Sequence, residues 1–309
     1  MKLLKKKEPK VAIIITTYNQ KDLLEICLSS LKKKTDYKNY KVYVVDDSNN
    51  GNIGEKIKKD FPLVNVVINK RNLGFSKANN IGIKKALRDH NPDYILLLND
   101  DTKIIEKGWL AKLIEFAEKQ KNFGIGGVKI IYPDRSLQWF LKKGEINFSR
   151  KRGVRYDDSN EPKTAEVNDV IGCFFLIKRD VIDKIGFLDE KFSPAYGEET
   201  DYCLRAKFDG FKLFYFGSVK IIHHGSSSTQ KIEGDYIWFV KKRNAIRLEW
   251  LNHSFPSIIK YNIIHIGSAI FSRNLLKRVR LLLKAYLENI KNFREILYKR
   301  RERNDWLKE

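Results

Sequence analysis

Hydrophobic positions in the first 131 residues change repeatedly between two patterns. Short continuous apolar runs are typical of buried strands, and apolar residues three or four positions apart are typical of helices that cover a sheet. Strands are predicted at residues 11–16, 41–45, 64–68, 94–98 and 125–131, and helices at 23–31, 53–59, 76–88 and 109–119. The alternation of the two predicts an α/β fold with a mostly parallel sheet and helices on both faces.

The regular alternation stops after these elements. Residues 133–168 are polar, basic and irregular, and a stretch this long between elements is usually functional or disordered. Strands return at residues 170–177 and 211–222, with a helix at 199–208 between them. From about residue 254 apolar residues keep helical spacing and Lys and Arg fill many other positions, which predicts a basic amphipathic helical extension.

These changes in pattern divide the chain into three parts. Residues 1–10 form a basic N-terminal tail, residues 11–253 form an α/β domain, and residues 254–309 form the helical extension. The α/β domain divides again into halves of about residues 11–131 and 132–253, because the regular alternation ends between them.

The chain is strongly basic, with 60 Lys and Arg against 38 Asp and Glu and a formal net charge of +22. That charge favours an anionic partner (nucleic acid, an acidic membrane surface or a phosphorylated substrate), although part of it only solvates surface faces. Cys27, Cys173 and Cys203 are isolated and lack metal-binding spacing, as in a reduced intracellular protein. The apolar runs are too short for a signal peptide or a membrane span, so we expect a cytoplasmic protein.

Asn99, Asp100 and Asp101 directly follow the apolar run 94–98. Ligands of open α/β sheets bind outside the carboxyl ends of the strands, so this run delivers two carboxylates and an amide to a place where ligands dock. Mg²⁺ and Mn²⁺ prefer oxygen ligands, and such a cation holds a diphosphate. The sequence therefore predicts a divalent metal site; the alternative is the capped start of the next helix.

Two other predicted strands end in polar residues. Thr17, Tyr18 and Asn19 close the first strand, where hydroxyl and backbone N–H groups meet a nucleotide; the alternative is an ordinary turn and helix cap. Asp46 ends the second strand, where a carboxylate accepts a hydrogen bond from the N3–H of uracil or thymine; the alternative is an Asx-turn. Both segments are candidates for nucleotide binding.

Two predicted helices begin with candidate residues. Asn72, Gly74 and Asn79 open the helix at 76–88, and Gly74 suits a tight turn with positive φ; the alternative is a loop followed by a tightly packed helix. The helix at 199–208 opens with acids. Its candidates for a general base are Glu198, Glu199 and Asp201. Acids in a first helical turn are commonly only partners of the helix dipole, which is the alternative.

Basic and imidazole side chains supply the remaining candidates. His223 and His224 follow the last predicted strand, and a neutral ring nitrogen of either one completes a metal site; the alternative is an incidental pair. Arg243 is a candidate phosphate clamp, and the alternative is a solvated helical charge. Neither signal is specific when it is taken alone.

Together these segments resemble glycosyltransferase family 2, which has the GT-A fold, and in particular its rhamnosyltransferase-like branch. The segments occur in the family's order and extend over about residues 11–250. They are residues 17–19, 46–48, 72–74, 78–82, 98–101, 172, 185–192, 198–205, 224 and 243–244. Each is common in proteins, whereas the ordered set is specific to the family.

The resemblance implies an inverting transfer of a sugar from a UDP, dTDP or GDP donor to an acceptor hydroxyl. The acceptor it implies is a lipid-linked or polysaccharide glycan, and the cofactor is Mn²⁺ or Mg²⁺. Asp46 would contact the base, Asn99 the ribose, and Asp101 the metal, together with His223 or His224. The donor-binding residues it implies are Thr17, Tyr18, Asn19, Asp46, Asn72, Gly74, Asn79, Asn99, Asp100 and Arg243.

Some assignments stay open at this point. The family has Glu-Asp where this chain has two glutamates, so the base is Glu198, Glu199 or Asp201. Residues 133–168 are expected on the acceptor side. The basic helical residues 273–303 are expected either to lie peripherally on an anionic membrane at the inner face of the cell membrane or to pack on their own domain or a partner helix.

Two other classes of protein fit parts of the sequence. A nucleotidyltransferase acting on sugar phosphates would use a similar sheet and metal, but we expect a glycine-rich phosphate loop after its first strand, and residues 16–20 contain no Gly. A nucleic-acid-binding protein would explain the net charge, but the chain has no zinc-finger spacing or RNA-recognition motif. The glycosyltransferase interpretation therefore accounts for more of the sequence.

Overall fold

The computed structural model describes residues 8–142, 145–148, 153, 163–225 and 234–303. Within these ranges an eleven-stranded sheet is covered by helices, and further helices follow it. The strands are β1 (Val11–Thr17), β2 (Tyr40–Asp46), β3 (Asn65–Ile68), β4 (Tyr94–Asn99), β5 (Thr102–Ile104), β6 (Phe123–Ile131), β7 (Leu137–Lys142), β8 (Glu145–Phe148), β9 (Thr164–Val167), β10 (Phe174–Lys178) and β11 (Lys212–His223). The α-helices are α1 (Lys21–Lys34), α2 (Asn52–Asp60), α3 (Phe75–Asp89), α4 (Trp109–Lys119), α5 (Arg179–Ile185), α6 (Glu198–Phe208), α7 (Gly234–Asn252), α8 (Phe255–Ile270), α9 (Leu275–Lys291) and α10 (Phe293–Glu302).

The first half of the sheet is parallel, as the alternation predicts. Its strand order is β3-β2-β1-β4, and each neighbouring pair runs parallel. Strands β1, β2 and β4 are largely buried because helices cover the sheet, which explains their continuous apolar sequences, whereas edge strand β3 is half-buried. In this register Thr17 pairs with Asp46 and Thr16 with Asn99, so the polar strand ends meet at one edge.

The second half of the sheet is mixed. Strand β10 runs antiparallel between β4 and β6, with Phe174 opposite Leu98. Strand β11 then runs parallel to β6 and antiparallel to β5. An apolar run predicts a buried strand but carries no information about its direction, so this reversal was not predicted. The reversal brings the loop before β10 to the same edge as the ends of β1 and β4, since Asn99 N–H donates to Cys173 O over 3.0 Å.

The prediction that residues 133–168 are irregular is wrong for the described part of that stretch. It contains β7, β8 and β9, and Trp139 and Leu141 of β7 are buried. β7 pairs with β6, and β9 pairs with β11. Basic and polar residues between the inward-facing side chains obscured the strand pattern. Residues 143–144, 149–152 and 154–162 lie outside the described residues, so their expected acceptor role stays a prediction.

Helices α7 to α10 pack on the α/β domain. Their contacts include buried ion pairs: Arg247 Nη2 lies 2.7 Å from Asp189 Oδ2, and Arg303 Nη1 lies 2.7 Å from Asp201 Oδ1 in the first turns of α6. The extension is therefore three helices, α8 to α10, of which one face is fixed to the domain. Among the residues described, no helix is long and apolar enough to cross a membrane.

Candidate active site

A cavity of about 350 Å³ lies at the carboxyl ends of β1 and β4. The loop before β10, the start of α6 and one face of α7 close it. It is lined by Thr16, Thr17, Tyr18, Asp47, Asn72, Gly74, Phe75, Ala78, Asn99, Asp100, Asp101, Ile171, Gly172, Cys173, Pro194, Ala195, Tyr196, Glu198, Glu199, His223, Tyr236, Ile237 and Val240. Polar and titratable residues from both halves of the domain therefore line the cavity.

A tight turn after β4 presents the two aspartates. The Thr102 hydroxyl donates to Asn99 O over 2.7 Å and closes the turn. Thr102 also begins β5, which pairs with β11 so that His223 lies opposite Thr102. The pairing brings the His223 ring beside Asp101, with 3.1 Å between Nε2 and Oδ1.

The hydrogen bonds of His223 determine which ring nitrogen faces the cavity acids. Nδ1 lies 2.9 Å from Gln138 Oε1, and an amide oxygen only accepts, so Nδ1 carries the proton. Nε2 therefore faces Asp101. His224 instead donates its backbone N–H to Asp101 O over 3.0 Å and is absent from the cavity lining. Of the two candidate histidines, the structure brings His223 to the acids.

The donor set at this position fits a divalent cation. Two ligand atoms bound at about 2.1 Å in adjacent octahedral positions lie about 3.0 Å apart, close to the separation of Asp101 Oδ1 and His223 Nε2. Among the described residues, Asp100 Oδ2 is buried without a hydrogen-bond partner. No group of three or more His, Cys, Asp or Glu in the described residues forms a metal cage. Asp101 and His223 would supply two of the about six ligands that an octahedral Mg²⁺ takes.

The two aspartates have opposite electrostatic environments. Burial, with the charge of Asp101 as a second cause, raises the pKa of Asp100 to about 7. Burial also acts to raise the pKa of Asp101, but the hydrogen bond and charge of His223 outweigh it and lower that pKa below its usual value. Asp101 is thus the carboxylate of the two that is held in its ionised form.

Glu198 and Glu199 open α6 and face the cavity. Their Oε2 atoms are buried and lack hydrogen-bond partners among the described residues. Burial, together with the charge of Glu199, raises the pKa of Glu198 well above its ordinary value, and burial raises the pKa of Glu199 to about 7. A Cβ at Gly172 would lie 3.3 Å from Glu199 Oε1, so a glycine at that position leaves room for this carboxylate. Two uncompensated carboxyl groups therefore line one wall.

The structure excludes Asp201 from the candidate bases. Its side chain is fully buried away from the cavity and accepts hydrogen bonds from Arg205 Nε over 2.9 Å, Arg303 Nη1 over 2.7 Å and Asn252 Nδ2 over 3.0 Å. Burial opposes ionisation, but the two guanidinium groups outweigh it and lower the pKa of Asp201. Asp201 is within one helical turn of the two glutamates, but its carboxylate forms ion pairs that stabilise the fold.

On the nucleotide side, Asp47 faces the cavity and the predicted Asp46 does not. Asp46 accepts N–H bonds from Ser48 and Gly54, at 2.9 and 2.7 Å, and is fully buried, because its side chain points to the start of α2. Asp47 Oδ2 accepts the Leu73 and Gly74 N–H groups at 2.9 and 3.0 Å. Asp47 thus lines the cavity where Asp46 was predicted to, although its carboxylate also accepts a hydrogen bond from Asn69 Nδ2 over 2.7 Å.

Three other predicted donor-binding residues also lie outside the cavity lining. Asn79 is buried within α3 and donates to Phe75 O over 3.0 Å. Asn19 donates its backbone N–H to Ser48 Oγ over 3.0 Å. Arg243 donates to Ser193 O and lies 3.5 Å from Glu288 Oε2. These polar groups make local contacts, so the structure does not place Asn79, Asn19 and Arg243 in the cavity lining.

The remaining donor-side predictions are placed at the cavity. Thr17, Tyr18, Asn72, Gly74, Asn99 and Asp100 all line it. Gly74 has φ +82°, and a Cβ there would lie 3.0 Å from Pro194 Cα, so the turn at this position admits little besides glycine. Phe75 N–H then donates to Pro194 O over 2.8 Å. This contact joins the start of α3 to the loop before α6.

Sequence reasoning missed the residues that shape the far wall. Tyr236 and Ile237 of α7 line the cavity. Asn244 of α7 is buried, and its Nδ2 donates to Phe192 O, Ala195 O and Tyr196 O at 2.7 to 2.9 Å. Asn244 was quoted only as part of a motif. A buried asparagine next to Arg243 gives no signal in sequence that distinguishes it from a solvated one.

Comparison with known proteins gives one family. The family described as "Glycosyl transferase family 2" matches residues 12–186. dTDP-rhamnosyl transferase RfbF of Shigella flexneri is 26% identical over 248 residues, which cover 78% of this chain and 80% of RfbF. O-antigen biosynthesis protein RfbC of Myxococcus xanthus is 25% identical over 246 residues, covering 71% of this chain. The chain spans 18% of RfbC and 28% of the uncharacterized protein y4gI of Sinorhizobium fredii.

Two solved structures share the fold at low sequence identity. The crystal structure of GalNAc-T7 with UDP, GalNAc and Mn²⁺ has a TM-score of 0.62 at 17% identity, covering 94% of this chain and 57% of that chain. Mannosyltransferase PcManGT from Pyrobaculum calidifontis with GDP-Man and Mn²⁺ has a TM-score of 0.56 at 16% identity, covering 97% and 83%. The predicted GT-A fold and the resemblance to rhamnosyltransferases are confirmed.

Proposed function

Because the chain belongs to glycosyl transferase family 2, we propose that it transfers a sugar from a nucleoside diphosphate donor to an acceptor hydroxyl with inversion. One observation carries the proposal: the Asp101–His223 pair and the uncompensated Glu198 and Glu199 face the same cavity. The leaving diphosphate needs a bound cation, which the Asp101–His223 pair would hold. The attacking hydroxyl needs a base, which a glutamate would supply. Neither rival function needs a carboxyl pair with raised pKa across from a metal site.

We infer that Asp101 and His223 hold a divalent cation. When bound, Mn²⁺ or Mg²⁺ would offset charge on the leaving diphosphate. The geometry supports this role: Asp101 Oδ1 lies 3.1 Å from His223 Nε2, and Gln138 Oε1 accepts from Nδ1 so that Nε2 is the ring nitrogen toward the acid. Both solved structures contain Mn²⁺, which favours a divalent metal in this fold.

We propose Glu199 as the general base. A base is most effective when its pKa is near the working pH, and the pKa of Glu199 is raised to about 7. Gly172 leaves space beside its Oε1 for an acceptor hydroxyl. Glu198 is more deeply buried, and burial together with the charge of Glu199 raises its pKa well above the ordinary value. The carboxylate takes the hydroxyl proton while the oxygen attacks the sugar carbon and the diphosphate leaves from the opposite face in one displacement.

We propose that the donor nucleotide lies over Thr17, Tyr18 and Asp47. Tyr18 is partly exposed at the cavity and offers a ring for base contact. Asp47 holds the turn that contains Gly74 and replaces Asp46 as the acid near the base. The relatives and neighbours are named for dTDP, UDP and GDP sugars, so all three nucleotides are tested. The name of RfbC supports a polysaccharide or lipid-linked acceptor.

The test is thermal unfolding of the full chain with UDP-, GDP- and dTDP-sugars, each with Mn²⁺, with Mg²⁺ or with excess EDTA. One nucleotide is expected to raise the melting temperature in the presence of metal, since a ligand at a hundred times its Kd stabilises a protein by about 2.7 kcal/mol. Asp101→Asn should abolish the metal-dependent part, and the exposed Asp22→Asn should keep it. No shift with any donor, or equal shifts in EDTA, would contradict the proposal.

A further inference from the structure

Helix α8 exposes an apolar stripe along its whole length. Its members are Phe255, Ile259, Ile263, Ile266 and Ile270, which recur every three or four residues and are 48% to 72% exposed. The opposite face of α8 is fixed to α7, since buried His265 Nε2 lies 2.9 Å from Glu249 Oε1 and Ala269 belongs to a cluster with Phe239. Within the described part of the chain, the stripe therefore stays exposed.

Helix α9 repeats the arrangement. Leu276, Leu283, Leu287 and Ile290 are 56% to 74% exposed, whereas Leu282 and Ala285 are buried against α7. Because α8 and α9 both turn their buried faces to α7, their exposed stripes lie on the side away from it. We call this surface, formed by the nine exposed apolar residues of α8 and α9, the apolar face. It is larger than scattered surface hydrophobic residues explain.

Positive charge flanks the apolar face, although Lys277 and Arg278 of α9 pair with Asp235 of α7. Residues 255–294 contain eight basic residues and one acidic residue, a formal net charge of +7. The one acid, Glu288, lies 3.5 Å from Arg243 of α7 and so faces the domain. Arg280 and Lys291 are exposed between or beside the apolar residues. This combination of apolar stripe and basic flanks is typical of helices that lie in a membrane interface.

We propose that the apolar face docks on the surface of an anionic lipid bilayer. The 16 residues of α8 span about 24 Å, less than the ~30 Å hydrocarbon core, so α8 and α9 lie along the surface. A second copy of the chain is a poorer occupant, because two faces that both belong to segments with a formal net charge of +7 would repel each other. The inference does not depend on the sugar-transfer proposal, and it differs from the expectation for residues 273–303 by including α8.

Docking there has a consequence for the cavity. Helix α7 lines the cavity with Tyr236, Ile237 and Val240, and Val240 also belongs with Phe239 to the cluster that packs on α8 and α9. The cavity and the membrane are then separated by about one helix layer, roughly 10 Å. A lipid-linked acceptor at the surface is within reach at that separation.

The test is cosedimentation of the full chain with vesicles of phosphatidylcholine alone or mixed with phosphatidylglycerol. We expect binding to the anionic vesicles that weakens with salt. Replacing Ile263, Leu276 and Leu287 together by Ser should lower the partition constant at least about tenfold, and so should Arg273→Glu, Arg280→Glu and Lys291→Glu together. These side chains are exposed, so unfolding temperatures should stay close to wild type.

Matched controls make the outcome decisive. Leu63→Ser removes an apolar side chain that is 90% exposed elsewhere, and Lys38→Glu, Lys59→Glu and Lys121→Glu together make the same change in net charge. Both should bind vesicles like wild type. The proposal is overturned if wild type does not bind anionic vesicles at low salt. It is overturned as well if the control charge variant loses as much binding as the Arg273, Arg280 and Lys291 variant. It is also overturned if the chain is a stable dimer that the Ser variant converts to monomer.

Discussion

Within the first four residues of α6, the acidic side chains differ in whether a neighbouring cation neutralises them. Glu198 is buried and Glu199 half-buried, each has an oxygen that lacks a hydrogen-bond partner among the described residues, and burial raises both pKa values. Asp201 is fully buried, yet Arg205 and Arg303 lower its pKa. The difference lies in whether the fold brings a cation to the carboxylate. Uncompensated carboxyl groups are available for proton transfer, whereas a compensated one holds the structure.

The compensated acid also connects distant parts of the chain. Asp201 accepts from Asn252 at the end of α7 and from Arg303 just after α10. Arg247 of α7 likewise joins Asp189 before α6 to Glu295 of α10. The helical extension therefore fixes the helix that carries the proposed base, and its deletion would remove cations that Asp201 and Asp189 require.

The largest effect on stability is expected at Asp201. Asp201→Asn leaves two buried guanidinium groups without their carboxylate, and breaking a buried pair in this way costs about 3–5 kcal/mol. Urea unfolding measures the loss. Asp183→Asn breaks the pair with Arg179 on a surface where Asp183 is 56% exposed, and it should cost at most about 1 kcal/mol. Equal losses in the two variants would remove the distinction between the acids of α6.

The fold of the first half could be predicted because apolar runs determine both burial and strand ends. Parallel strands end at one edge, and Thr17 and Asn99, each placed at a predicted strand end, both line the cavity there. Directions of β10 and the three-residue strand β5 could not be predicted. A run of apolar residues has no direction, and three residues are too few to establish a period.

The choice between neighbours in the site depended on tertiary contacts. His223 is favoured over His224 only by the pairing of β11 with β5. Asp47 lines the cavity and Asp46 does not, because Ser48 and the α2 residue Gly54 donate their N–H groups to Asp46. Arg243 was predicted to bind phosphate, but its guanidinium group donates a hydrogen bond to the carbonyl oxygen of Ser193. Sequence supplies the residue types at a strand end, while the packed neighbours decide which side chain faces the ligand.

The second prediction compares the pH dependence of the same acids. Glu199 has an ordinary pKa of 4.5 and a folded-state pKa of about 7, so the folded state binds the extra proton and stability falls as pH rises from about 4.5 through about 7. Asp201 has a lowered pKa, so its contribution is present above about 3.8 and is lost as pH falls below that value.

Urea unfolding at several pH values tests these slopes. Relative to Glu199→Gln, wild type should lose stability between pH 4.5 and 7, and the difference should be constant at higher pH. Parallel curves for the two proteins would show that Glu199 has an ordinary pKa in the folded state. The turnover of wild type should rise over the same range, since only the ionised carboxylate accepts a proton.

The smallest effect is expected at Gly172. An alanine Cβ there would lie 3.3 Å from Glu199 Oε1, which displaces the carboxylate by a few tenths of an ångström. We expect Gly172→Ala to lower turnover about two- to fivefold with little change in stability. Gly267→Ala, where a Cβ meets nothing within 4 Å, is the control and should keep wild-type turnover. A Gly172→Ala enzyme as fast as its control would argue against Glu199 as the base.

The central claim is that Glu199 takes part in the chemistry and Asp201 does not. The direct measurement is the rate of nucleoside diphosphate release from the donor that gives the largest thermal shift, in Glu199→Gln and Asp201→Asn, at a temperature where both remain folded. Glu199→Gln should lose at least about a hundredfold in rate while still binding the nucleotide, and Asp201→Asn should stay within a few-fold of wild type. Wild-type turnover in Glu199→Gln, or a hundredfold loss in folded Asp201→Asn, would contradict the account.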